Sequence, residues 1–232
     1  MNLHLPKPDW RKMIVLTLAM SAVGLYAASY FVPMWGFYLF APQYPFGLTL
    51  GIYVNRVTGD TTEINILNHY IGMAKLESAA QLERSLAVYG IGLIALASVF
   101  LVFLPGRRWA KFLALPALIY PIVFLGFMYF WMFRFGHELD PGAPVKMAPF
   151  TPKIVGTGKI GNFRTIGMPG PGFYMIAAAS ICVGVALWLR REICKKCGLA
   201  GSCKLVCPNF TIGRPPEEPA TKSEVRSSAD AR

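Results

Sequence analysis

The sequence predicts an all-α integral membrane protein with four transmembrane helices, both termini in the cytoplasm, and two ordered periplasmic loops, the first holding a short β-hairpin. Three observations carry this expectation. Hydrophobic residues make up 54% of the chain and charged residues only 15%, where soluble domains carry about 25% charged residues. The apolar residues are not dispersed at helical period as in a soluble core. They gather into four blocks of about 17–25 residues, the length that crosses roughly 30 Å of hydrocarbon. Lysine and arginine cluster at the ends of those blocks, where they orient a chain in a membrane.

Residues 1–12 are the cytoplasmic N-terminus, with Lys7, Arg11 and Lys12 ahead of the first span at 13–32. That span is long for a secretory signal, and Tyr26, Tyr30 and Phe31 leave no small-residue cleavage site, so it reads as a retained anchor. A first external loop follows at 33–85. The second span, 86–104, is stopped by Pro105 and Gly106, and a cytoplasmic turn at 105–108 leads to the third span, 109–133. Pro116 and Pro121 lie inside this third block, and each removes a backbone donor, so a kink is expected unless neighbouring helices compensate. The second external loop covers 134–172, the fourth span 173–189, a cysteine-rich cytoplasmic segment 190–210, and a disordered polar tail 211–232.

Orientation follows from the basic residues. Three lie in the N-terminus, three at the turn between the second and third spans, and nine from Arg190 onward, against eight shared by the two long loops. The denser segments belong in the cytoplasm, which puts both long loops in the periplasm of a bacterium and the chain in its inner membrane. Trp10, Trp35, Trp109, Trp131 and Trp188 fall near block ends, as an interfacial aromatic belt predicts. The aromatic stretches 35–40 and 131–135 are expected at that interface.

In the first loop, residues 48–54 and 62–67 alternate β-branched or aromatic residues around the turn-rich stretch 55–60, which predicts the hairpin. Residues 68–84 have helical composition. On such a helix His69 and Met73 share a face, and Glu77 continues it. Imidazole and thioether together suit copper, the cuprous ion above all. His137, with Met147 or Met168, would complete the set from the second loop. The same residues also read as backbone-satisfying polar groups and an interfacial anchor where the loop meets the membrane. His137, Glu138 and Asp140 are the second loop's concentrated donors of chemistry, and they read equally as a solvated helix end.

Cys194, Cys197, Cys203 and Cys207 form a C-x2-C-x5-C-x3-C series followed by Pro208. Four thiolates so close can surround a zinc ion or an iron–sulfur cluster. The ending C-x3-C-P matches the close of a bacterial ferredoxin motif, while the gap of five departs from it. Free thiols and acyl attachment sites are the alternatives.

Several function classes are excluded. The spans hold no histidine for a transmembrane b-type haem, and no C-x-x-C-H occurs for a covalent one. No phosphate-binding loop with its lysine is present, and the glycine-rich stretch at 156–161 lacks the flanking strand and helix of a nucleotide site. The span centres carry no Asp, Glu, Lys or Arg for an ion pathway. The net charge of +11 resides at span ends and in the tail rather than on an aromatic-laced surface, which argues against nucleic acid.

In the external loops, residues 41–53 (APQYPFGLTLGIY), 63–73 (EINILNHYIGM) and 137–152 (HELDPGAPVKMAPFTP) resemble small bacterial membrane proteins associated with copper transport and maturation of nitrous oxide reductase. The resemblance implies copper delivery, or assembly of a periplasmic copper enzyme, by an accessory protein that is not itself catalytic. The rival expectations are an electron-transfer or non-catalytic subunit of a membrane oxidoreductase, and a purely structural subunit of a membrane complex. All three imply the lipid bilayer and other membrane or periplasmic subunits as partners.

Overall fold

The computed structural model describes residues 10–103 and 107–195. Five α-helices and five strands follow one another as α1 (Trp10–Ser29), β1 (Trp35–Ala41), β2 (Tyr44–Ile52), β3 (Val57–Gly59), α2 (Thr61–Ile71), a 3-10 turn (Leu76–Ser78), α3 (Gln81–Phe103), α4 (Arg107–His137), β4 (Gly156–Ile160), β5 (Phe163–Pro169) and α5 (Pro171–Lys195). The expected all-α class is therefore wrong: both long loops contribute to one antiparallel sheet of order β3-β2-β1-β5-β4.

Among the described residues, three helices contain stretches long and apolar enough to cross a membrane, Gln81–Phe100, Ala110–His137 and Pro171–Leu189, and Met13–Ser29 is a shorter apolar helix. Large apolar side chains on these helices point outward. Leu93, Ile122 and Ile181 are 66–70% exposed, which is tolerable only where the surrounding medium is itself apolar. This is a membrane protein.

Inside the bundle, α1 presents Val15, Ala19, Ala22 and Tyr26, and α5 presents Ile176, Ala179, Val183 and Ala186, all buried. Spacings of three and four keep each set on one face, and the alanines let the two helices approach closely, as small residues do in membranes. Tyr26 crosses this seam. Its hydroxyl donates to the Ala117 carbonyl of α4 at 3.2 Å and lies 3.3 Å from Ser180 Oγ, which also donates to Ala117 O at 2.7 Å. Ala117 O is free to accept because the residue four positions on is Pro121, which has no N–H. The expected proline defect is thus satisfied from neighbouring helices, and α4 continues as one helix through Pro116 and Pro121.

Above the bundle, the chain leaves α1 at Ser29 and enters β1 through Pro33 and Met34. Met34 N–H donates to Ile52 O at 2.7 Å, Gly170 N–H to Met34 O at 3.0 Å and Gly172 N–H to Pro33 O at 2.9 Å. A Cβ on Gly170 would collide with the Pro33 carbonyl. Strand β1 then pairs with β5 from Trp35↔Pro169 to Phe40↔Arg164 and with β2 from Trp35↔Ile52 to Ala41↔Tyr44. Trp35 is not a lipid-facing belt residue. It is 1% exposed, packs against Phe124 of α4 and Phe173 of α5, and its indole N–H donates to Ile154 O at 2.9 Å.

The hairpin expected in the first loop is also corrected. Residues 48–54 fall largely in β2, but the second expected arm, 62–67, lies within α2, and the return strand is the shorter β3. Helix α2 lays Ile64 and Leu67 on Leu48 of β2, with Leu39, Leu50 and Phe163 around them. Its i, i+3 spacing buries these side chains, whereas the alternating pattern seen in sequence would have split them between two faces. The glycine-rich stretch 156–161 becomes β4 and its turn into β5.

The Ala117 knot yields a test. Interhelical hydrogen bonds in membranes average about 0.6 kcal/mol, but an orphaned buried carbonyl costs about 1–3 kcal/mol. Tyr26→Phe with Ser180→Ala is expected to lower the thermal midpoint in detergent, and adding Pro121→Ala, which restores the N–H, is expected to recover part of the loss.

Candidate functional site

His69, Met73, Glu138 and Asp140 line one cleft where α2 ends against the segment following α4. Helix α2 stops at Ile71 because Gly72 adopts φ 80°, a left-handed conformation that glycine takes at little cost. Gly72 N–H donates to His69 O at 3.3 Å and Met73 N–H to Asn68 O at 2.8 Å, closing the helix with a Schellman motif. His69 and Met73 are therefore not neighbours on a helix face, as their spacing predicts. The reversal at Gly72 nonetheless keeps both on one open cleft, lined also by Lys75, Glu138 and Asp140.

Backbone hydrogen bonds hold the two walls together. Asp140 N–H donates to Gly72 O at 2.8 Å and Val145 N–H to Tyr70 O at 3.0 Å, while Phe150 N–H, within the second wall, donates to Gly136 O at 3.0 Å. Asp140 Oδ1 accepts from Gly142 N–H at 2.8 Å, so the carboxylate shapes its own turn. A Cβ on Gly72 would lie 2.9 Å from the Asp140 backbone. Glu138 pairs with Arg134 at 2.7 Å, with both side chains largely exposed, a pair that orders the rim but adds little stability.

The remaining sequence candidates lie elsewhere. His137 does not line the cleft; its ring stacks on Phe133 at 3.9 Å and its Nδ1–H donates to Phe133 O at 2.9 Å. The Asn65 amide nitrogen donates to the Glu77 carboxylate, whose two oxygens lie 2.8 and 2.9 Å away, while Asn65 Oδ1 accepts Leu76 N–H. That exchange ties the 3-10 turn to α2, a structural role. Met168 lies on β5 opposite Gly36, and Met147 approaches Gly161 at the β4–β5 turn. Cys194 falls in the last turn of α5, and Cys197, Cys203 and Cys207 lie outside the described residues. Among the described residues, no group of three or more His, Cys, Asp or Glu side chains is arranged to hold a metal ion.

Met73 has a second environment that its sequence position gives no sign of. It also lines an apolar pocket between α2 and the sheet, with Leu67, Asn68, Phe135 and Phe163. There Thr165 Oγ1 is buried without a hydrogen-bond partner among the described residues. The thioether thus stands between a polar cleft and an apolar interior. With His69 it places an imidazole and a thioether on the lining of one cleft, too few donors by themselves for a closed structural metal site.

No protein-family model matches the chain, and no match is found among curated proteins.

Replacing Gly72 by Ala puts a side chain at φ 80° against the Asp140 backbone. We expect a loss above about 1 kcal/mol and faster proteolysis of residues 138–150 as the two walls separate; unchanged cleavage would show that Gly72 does not fasten the cleft.

Proposed function

We propose that this chain is a membrane accessory protein, not catalytic by itself, that handles copper for, or helps assemble, a periplasmic copper enzyme. The observation that carries the reading is the presence of His69 and Met73 on one open cleft. A cuprous ion prefers imidazole and thioether over hard oxygen ligands, and two protein ligands in an open cleft leave coordination positions for a donor or acceptor protein. Copper here is cargo. Glu138 and Asp140 favour a cation electrostatically, and Lys75 opposes them. The loop segments that resemble copper-associated membrane proteins contain His69, Met73, Glu138 and Asp140.

The proposed location is the bacterial inner membrane, with four passes, the sheet in the periplasm and both termini in the cytoplasm. Basic residues concentrated in the N-terminus, in the α3–α4 connection and beyond Arg190 support that orientation. It is consistent with the sheet joining the C-terminal end of α1 to the N-terminal end of α5. A four-thiolate centre at Cys194, Cys197, Cys203 and Cys207, binding zinc or an iron–sulfur cluster on the cytoplasmic side, is a separate part of the proposal.

Purified protein loaded with Cu(I) under reducing conditions tests the cleft. His69→Ala with Met73→Leu is expected to lower retained copper by at least about tenfold, while His137→Ala, outside the cleft, leaves it close to wild type. Equal copper in all three proteins rejects the cleft. Zinc or iron that survives the cleft substitutions belongs to the cysteine segment.

A further inference from the structure

A second cavity lies between α3 and α4. The first turns of α3, residues 120–132 of α4 and residues 52–57 line an open cavity of about 400 Å³, within the roughly 300–1,000 Å³ of small-molecule sites. Its walls are apolar, including Val57, Ala87, Val123 and Phe127, and its polar lining includes Glu83, Arg84 and Trp131. Arg84 Nη2 donates to Glu77 O at 2.5 Å, which anchors the guanidinium. Arg84 Nε and Trp131 Nε1, however, are buried without an acceptor among the described residues. Glu83 and Arg84 do not pair with each other; among the described residues the only ion pair is Arg134–Glu138.

Two buried donors without acceptors, on residues that line one apolar cavity, are unfavourable unless something else accepts their hydrogen bonds. The cavity's depth limits what can do so. It sits where the apolar stretches Gln81–Phe100 and Ala110–His137 emerge toward the sheet, the level at which tryptophans meet lipid headgroups. Ester and phosphate oxygens at that level accept hydrogen bonds and cannot donate them. The charges narrow the ligand further, because Arg84 and Glu83 both line the cavity and together complement a headgroup carrying both a phosphate and an ammonium.

We propose that this cavity binds one zwitterionic phospholipid of the ethanolamine type, with an acyl chain between α3 and α4, its phosphate or ester oxygens on Arg84 Nε and Trp131 Nε1, and its ammonium toward Glu83. The site is distinct from the cleft at His69 and Met73, and it does not depend on copper.

Native mass spectrometry of the detergent-solubilised full chain, titrated with phosphatidylethanolamine or phosphatidylglycerol, tests the assignment. One ethanolamine lipid is expected to be retained in preference to the glycerol lipid. Trp131→Phe, which keeps the ring and loses the N–H, and Arg84→Met are each expected to weaken retention of both lipids by about tenfold. Glu83→Gln is expected to abolish only the preference. Thermal midpoints in the same detergent identify any variant that has lost its fold, and Trp131→Phe, which removes an orphaned donor, is expected to keep it. Equal retention of the two lipids by the wild type, unchanged retention by folded Trp131→Phe, or displacement of the lipid by a quinone or by a second copy of the chain overturns the proposal.

Discussion

The pairing of β1 with β5 is the constraint on which the rest of the structure depends. These strands are more than a hundred residues apart in sequence, yet each is joined to a bundle helix by a few residues, β1 to the end of α1 and β5 to the start of α5. Since α1 and α5 already pack along a seam of small and branched residues, the two strands emerge side by side, and pairing them costs little additional chain entropy. The junction is backbone-to-backbone: Pro33, Met34, Gly170 and Gly172 exchange hydrogen bonds so closely that Gly170 has no room for a Cβ. Every other element of the sheet layer is placed by addition to that pair, β2 and β3 on one edge, β4 on the other, and α2 across the face.

The same logic of satisfied backbone groups governs the buried half. An apolar surrounding offers no water to an exposed carbonyl, so the donor lost at Pro121 must be replaced by protein, and Tyr26 and Ser180 replace it from two other helices. One proline therefore couples α1, α4 and α5 at a single atom. Trp35 does the corresponding work at the junction, joining β1 to α4 and α5 by packing and to the 138–155 segment through its indole N–H. That segment then forms the second wall of the cleft, so the position of Glu138 and Asp140 relative to His69 depends on contacts well away from any metal ligand.

Much of the membrane half was legible in sequence, because uninterrupted apolar length is a one-dimensional property. The sheet was not, and the reasons are specific. Strand β1 reads WGFYLFA, apolar on both faces because it is central and lies against the bundle, so it lacks the alternation that marks a strand and resembles an interfacial belt. Strand β5 is flanked by glycine and proline and pairs with a partner that no local pattern indicates. Residues 62–67 alternate as a strand does, but the tertiary surface offered by Leu48 and Leu50 suits a helix instead. At the cleft, the residue types His69 and Met73 could be read, but their geometry depends on Gly72, whose role as a helix stop appears only once the chain beyond it is placed. The opposing wall lies about sixty residues further along, in a loop with no periodicity of its own.

One strand pair joins the proposed copper-handling cleft to the membrane bundle, and that pair can be tested directly. Tyr38 and Ile166 are register partners in β1 and β5, where cross-strand Cβ atoms lie about 4.5–5.5 Å apart. In the double variant Tyr38→Cys with Ile166→Cys, mild oxidation of intact membranes is predicted to give an intrachain disulfide between the two introduced thiols, mapped by mass spectrometry. Tyr38→Cys with Thr165→Cys is predicted to remain unbridged, because alternate residues face opposite sides of a sheet. Bridging of the shifted pair, or of neither, would contradict the register and with it the placement of the cleft.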